Sequence, residues 1–180
     1  DVPMEDDGSP ASCICNQRDA KLTTTHLMAC PTKMHRRHDK IVKLCHTVLS
    51  TAGIDCHMEK TTFEENDRQR ADLEMNNFYG NDSGRRKLIA DVTVIKPYVR
   101  ETTIPKRNAA ITAAEKKKTE KYSHMANTND AMMVPLVLST FGAFGTAFTT
   151  FIYNTMRVAE WKGLYYPGVD MYFVRYWREN

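Results

Sequence analysis

The segment 88–95 (LIADVTVI) constrains the fold more than any other part of the chain. It is rich in β-branched residues and stops before Pro97, so it reads as a strand. Successive side chains on a strand point to opposite faces. Leu88, Ala90, Val92 and Val94 therefore share one face, and Ile89, Asp91, Thr93 and Ile95 share the other. Both faces are largely apolar, as expected of a strand buried on both sides. Asp91 breaks the pattern. A carboxylate among apolar neighbours is costly unless a metal or a partner compensates it, so the fold must build something around Asp91.

A companion strand is expected at 71–78. The turn-rich loop YGNDSGRR (79–86) would join the two as a hairpin. Asp72 and Glu74 share a face of that first strand. A hairpin can point one carboxylate from each strand to the same side. Metal-dependent phosphodiester hydrolysis needs such carboxylates around Mg²⁺, which activates water and neutralises charge on the phosphate. Asp72 and Asp91 are thus candidate Mg²⁺ ligands. The plainer alternative for Asp72 and Glu74 is a solvent-facing position on an edge strand.

The rest of the chain supplies helices. Ile41, Leu44, Cys45, Val48, Leu49 and Ala52 recur at three- and four-residue spacing, which predicts a helix from about Arg37 with Gly53 as its C-cap. A short strand at 54–59 follows. The Ala/Glu/Lys-rich stretch 108–122 predicts another helix. On it Ile111, Ala114, Lys118 and Tyr122 line one face. Residues 131–153 carry no charge and are long enough to cross a membrane. Pro135, Gly142, Gly145 and several hydroxyl side chains interrupt them, however. A buried strand at 133–139, a glycine turn and a packed helix at 146–158 are the preferred reading, and a membrane anchor is the rival one.

Hydrophobic residues make up 42% of the 180 and charged residues 26%, an ordinary globular composition. The net charge of +3 does not by itself imply a nucleic-acid partner. Local clusters do more: HRRH at 35–38, PKR at 105–107 and EKKKTEK at 115–121 are basic, whereas 1–12 reads as an acidic linker. The chain opens on Asp rather than Met, as a piece of a longer product would, and its acidic start is no secretory n-region. Five unevenly spaced cysteines do not form a disulfide framework and suit a reducing, intracellular compartment. Cys13, Cys15, His26 and Cys30 offer four donors in one segment, a set that suits tetrahedral Zn²⁺, although Cys-x-Cys is tighter than the usual spacing. Cys45 and Cys56 read as core thiols. Arg36, Arg37 and His38, at the expected start of the first helix, are candidates for DNA phosphate contact.

At this point the residues resemble a family. RADLEMNNF, a variable loop and RRKLIADVTVIKP are similar to the PD-(D/E)XK nuclease superfamily, and more narrowly to the restriction-endonuclease-like domain that follows the reverse transcriptase in site-specific non-LTR retrotransposons. THLMACPTKMHRRHDKI, AAEKKKTEKY and VPLVLSTFGAFG extend the resemblance, in order, over about residues 13–152. It implies an α/β fold: a restriction-endonuclease-like core of mixed β-sheet flanked by helices at 35–158, behind a small CCHC zinc knuckle at 13–34, with a tail of unassigned role at 159–180. It implies a Mg²⁺-dependent DNA endonuclease, nuclear in location, that nicks a target so that a neighbouring reverse transcriptase can prime on it. Element RNA would be a further partner.

The resemblance also implies site residues. Lys118 and Tyr122 match the family's Lys-x-x-x-Tyr pair, and Glu59 is a candidate for an additional metal carboxylate. Two departures stand out. Ala71 replaces the usual Pro, and Thr93 stands where the superfamily motif has Lys. Threonine carries no positive charge. The cation must then come from elsewhere, and Lys118 is the best-placed candidate. Otherwise the domain is a non-cleaving, nucleic-acid-binding remnant, which is the alternative reading.

Overall fold

The computed structural model describes Asp6, Cys13, Cys15, His26 and residues 30–58, 71–78, 87–96, 104–140 and 142–164. These form a mixed α/β structure. Its elements, in chain order, are α1 (Pro31–Thr51), β1 (Cys56–Met58), β2 (Leu73–Asn76), β3 (Lys87–Ile95), α2 (Ile104–Thr128), β4 (Ala131–Ser139) and α3 (Thr146–Trp161).

The strands form one sheet in the order β1-β2-β3-β4. β1, β2 and β3 pair antiparallel, and β3 pairs parallel with β4. Parallel neighbours need a crossover connection, which α2 provides. Pro135 lies in β4, an outer strand of the described sheet, where its missing N–H is tolerated.

The strand alternation read from 88–95 holds. Leu88, Ala90 and Val92 face one core with Leu49, Leu73, Met75, Phe148 and Phe151, so α1 and α3 cover that side. Ile89 faces a second core with Ala71, Tyr122, Met125 and Ala126, so α2 covers the other. The sheet is therefore sandwiched between helical layers, with a run of five buried residues, Leu88 to Val92, at the heart of β3. Phe78 stacks on Phe151 with ring centroids 5.4 Å apart, tying the end of the β2 segment to α3.

Element boundaries differ from expectation in instructive places. α1 begins at Pro31, not near Arg37, because proline at the first helical turn is pre-set for the helix and Cys30 serves as N-cap. α1 thus crosses the boundary drawn at 34/35, so the Cys/His segment and the sheet domain share a helix. Gly53 does cap it. It adopts φ +67°, and the bonds Gly53 N–H to Ser50 O and Ile54 N–H to Leu49 O form a Schellman closure. Leu44, expected on the core stripe of α1, instead faces solvent at 62% exposure.

The uncharged stretch 131–153 is a strand, a turn and the first half of a helix. No helix among the described residues is long and apolar enough to cross a membrane. The start of the expected tail belongs to the fold: α3 runs to Trp161, and Lys162 Nζ donates to Gly53 O. Residues 165–180, most of the linker at 1–12, the loop at 79–86 and Glu59 lie outside the described residues.

Candidate active site and metal centre

Asp91 sits in the middle of β3 and is only 4% exposed. Its compensation comes from two elements. Tyr122 Oη donates to Asp91 Oδ1 at 2.6 Å, a buried bond. Lys118 Nζ lies 2.6 Å from Oδ2, and Thr93 Oγ1 donates to the same oxygen at 3.2 Å. Lys118 and Tyr122 are one turn apart on α2, so both reach the sheet from one helix face. Burial first, and then the bond to Asp91, push the Tyr122 phenol well above its ordinary range. Tyr122 therefore stays protonated and acts as a hydrogen-bond donor. Thr93 contributes a hydroxyl to the carboxylate, and the positive charge beside it comes from Lys118.

Asp72 occupies a bend just before β2. The β2–β3 ladder ends at Leu73↔Ala90, so Asp72 lies just beyond its end, beside the middle of β3. Asp72 Oδ2 accepts the Val92 N–H at 2.6 Å and a hydrogen bond from His38 Nε2 at 3.1 Å. The Asp72 bond, outweighing the opposing effect of desolvation, raises His38 to about 9, and Asp39, 3.2 Å from Nδ1, adds to the rise. His38 is thus drawn to Asp72 as a cation. The phosphate contact expected of Arg36, Arg37 and His38 rests on a helix start near Arg37. With α1 beginning at Pro31, Arg36 lies more than a turn inside, beyond the reach of the helix-end dipole. Arg36 is exposed and Arg37 half-buried.

Glu74 is not solvent-facing. It is 3% exposed on an interior strand, and its Oε1 lies 3.0 Å from Lys87 Nζ. Lys87 pairs in register with Asn76 and Ile89 with Glu74, so the ion pair is diagonal across the strands. Two more residues escaped the sequence reading. Lys121 Nζ donates to Tyr122 Oη at 3.1 Å and sits 4.5 Å from its ring centroid. Glu115 Oε1 accepts the Ala147 N–H at 3.0 Å, capping the start of α3 from α2. Lys121 could have been found by reading α2 in rows four residues apart. Glu115 left no local signal, since its partner is a distant helix start.

The Cys/His cluster is built by one helical turn. Cys30 N–H bonds to His26 O at 2.7 Å, which sets these two side chains on one face just ahead of α1. Cys13 Sγ lies 3.9 Å from Cys30 Sγ, and Cys15 Sγ lies 3.4 Å from His26 Nε2. The donor atoms of all four residues lie within 4.8 Å of one another, close enough to hold a metal ion. A tetrahedral zinc with its usual bond lengths separates two sulfurs by about 3.8 Å and a sulfur from a nitrogen by about 3.5 Å. The donor set and its spacing are consistent with zinc. Cys45 and Cys56 are different. Both are buried, and burial pushes each thiol up to about 12, which makes them unreactive core residues.

The sequence matches no protein-family model and no curated protein.

Proposed function

We propose that this chain is the endonuclease module of a retroelement, a Mg²⁺-dependent hydrolase that nicks target DNA to expose a 3′ end for reverse transcription. The observation that carries the reading is Asp91: a buried carboxylate with Lys118 and Tyr122 from the next helix upon it, while Asp72 is tied to the neighbouring Val92 N–H of the same strand. The mixed sheet between helical layers is the architecture that a restriction-endonuclease-like core requires. The order of motifs resembling that family supports it further, and a nuclear location, element RNA and an adjacent reverse transcriptase belong to the same reading.

The donor chemistry suits the metal. Asp72 and Asp91 offer hard oxygens from opposing strands, and among the described residues Asp72 Oδ1 has no protein partner. Mg²⁺ is commonly held by one or two carboxylates and keeps several waters. Bound there, it would lower the pKa of its water and neutralise charge on the phosphate. The chain's own groups do the rest. Val92 N–H and His38 fix the rotamer of Asp72. Tyr122 and Lys118 fix Asp91, and Lys118 balances its charge. At the N-terminal cluster, Cys13, Cys15, His26 and Cys30 would hold Zn²⁺ as a structural ion and steady the start of α1.

Nicking of supercoiled plasmid in the presence of Mg²⁺ tests the reading. Wild type should cleave, and Asp91→Ala should lose on the order of 10²-fold or more in rate, as expected for removal of a group that positions charge. Equal residual cleavage by both would sink it. Thr93, at the motif's lysine position, favours a second reading, a remnant that binds nucleic acid without cutting. That reading predicts salt-dependent DNA binding and no metal-dependent nicking.

A further inference from the structure

The lysines at 116–121 of α2 lie in three neighbouring rows, each spaced by four residues. The row Lys118–Tyr122 faces Asp91. The row Lys116–Glu120 lies on the far flank and is internally neutralised, with Lys116 Nζ 3.8 Å from Glu120 Oε1. Between them runs the row Lys117–Lys121. Both of its residues are exposed, and neither has an acidic partner among the described residues. Like charges at this spacing repel unless an anion lies over them.

Lys121 is not loosely placed. Its ammonium donates to the Tyr122 hydroxyl, which itself donates to Asp91, and leans on the ring. Lys118, by contrast, is committed to Asp91 at 2.6 Å and is half-buried. A cation that neutralises a buried carboxylate is poorly free to meet a substrate phosphate as well.

We infer that Lys121, with Lys117 one turn earlier, is the phosphate-gripping flank of this site, dividing the work with Lys118. Lys118 balances Asp91, and Lys121 meets the backbone phosphate of a DNA strand laid along α2. This rests on the nuclease reading above for the substrate, though its contact is with the backbone rather than with any base. Each such contact releases counterions, so it contributes about 0.9 to the slope of log K against log salt for duplex DNA.

The test is fluorescence anisotropy of the full chain with a labelled DNA duplex across a salt series, without added Mg²⁺, alongside plasmid nicking with it. Lys121→Met keeps the apolar stem and should lower affinity and flatten the slope by about 0.9, with Lys117→Met/Lys121→Met losing about twice that. Lys121→Arg should restore the wild-type slope. Lys116→Met, on the neutralised flank, should leave it unchanged. In nicking, Lys121→Met should raise KM several-fold with little change in kcat, whereas Lys118→Met should lower kcat.

A wild-type slope in Lys121→Met, or an equal loss in Lys116→Met, overturns the inference whether or not the chain cuts DNA. If the slope falls as expected but wild type does not nick, the flank stands as a nucleic-acid grip and the nuclease reading fails. If wild type does not bind the duplex, both fail.

Discussion

Asp91 lies on a nine-residue strand between two helical layers, and Cys13, Cys15 and His26 precede α1 in the chain. Both regions gather polar side chains, and they treat charge in opposite ways. At the carboxylates the protein brings its own cations, Lys118 to Asp91 and His38 to Asp72. At the cluster it brings three thiols and an imidazole, which are weak partners for one another. The first arrangement is held together by protein groups, so a metal would not be needed to order it. The second would gain most of its order from a metal that binds the thiolates, and such a metal would serve folding.

The largest effect that could break this contrast is metal removal. Structural zinc in small sites contributes roughly 10–16 kcal/mol of apparent binding free energy. Chelation, or Cys30→Ser, should release one bound zinc per chain and speed proteolysis around residues 13–30. Amide exchange in β2 and β3 should stay slow. Equal loss of protection in both regions would show that they are not separate devices.

The next effect is on the carboxylate side. Asp91→Ala strands Lys118 and Tyr122 without their partner. Breaking a buried pair in this way costs about 3–5 kcal/mol, and the partial exposure of Lys118 places this one at the lower end. Urea unfolding measures it, and a change below about 0.5 kcal/mol, the range of ordinary surface substitutions, would mean that the pair does not hold α2 to β3.

A smaller effect sharpens the same point with a third carboxylate. A Cβ at Gly145 would collide with the Glu115 carboxylate, and that side chain can swing away only by giving up its bond to Ala147 N–H. Gly145→Ala should therefore cost about 1 kcal/mol, the usual worth of a lost helix cap. Glu115→Gln in the same thermal-melt series should cost less, because the amide oxygen can still accept the bond.

Much of the carboxylate site was legible because it depends on local periodicity. Strand parity put Asp91 on the face that α2 covers, and the helical stripe put Lys118 and Tyr122 opposite it. The four donors of the Cys/His set were legible from residue type and nearness in sequence. What could not be read depended on register or distant contacts. Glu74 and Lys87 meet diagonally, and the loop between their strands hides that register. The bond from His38 to Asp72 could not be read because it joins residues 34 apart in the chain. Lys121 was hidden in a run of lysines whose composition is the same on all sides of the helix, and only the neighbours of each row distinguish them.

The most direct measurement of the central claim is the Mg²⁺-dependent nicking rate of Asp91→Asn against wild type, with both shown to be folded by circular dichroism. Asparagine keeps the shape and one of the two hydrogen-bond acceptors but removes the charge that would draw the metal. The account predicts that wild type cleaves in proportion to Mg²⁺ occupancy and that Asp91→Asn binds DNA normally while losing on the order of 10²-fold in rate. A folded Asp91→Asn that nicks at the wild-type rate would contradict it.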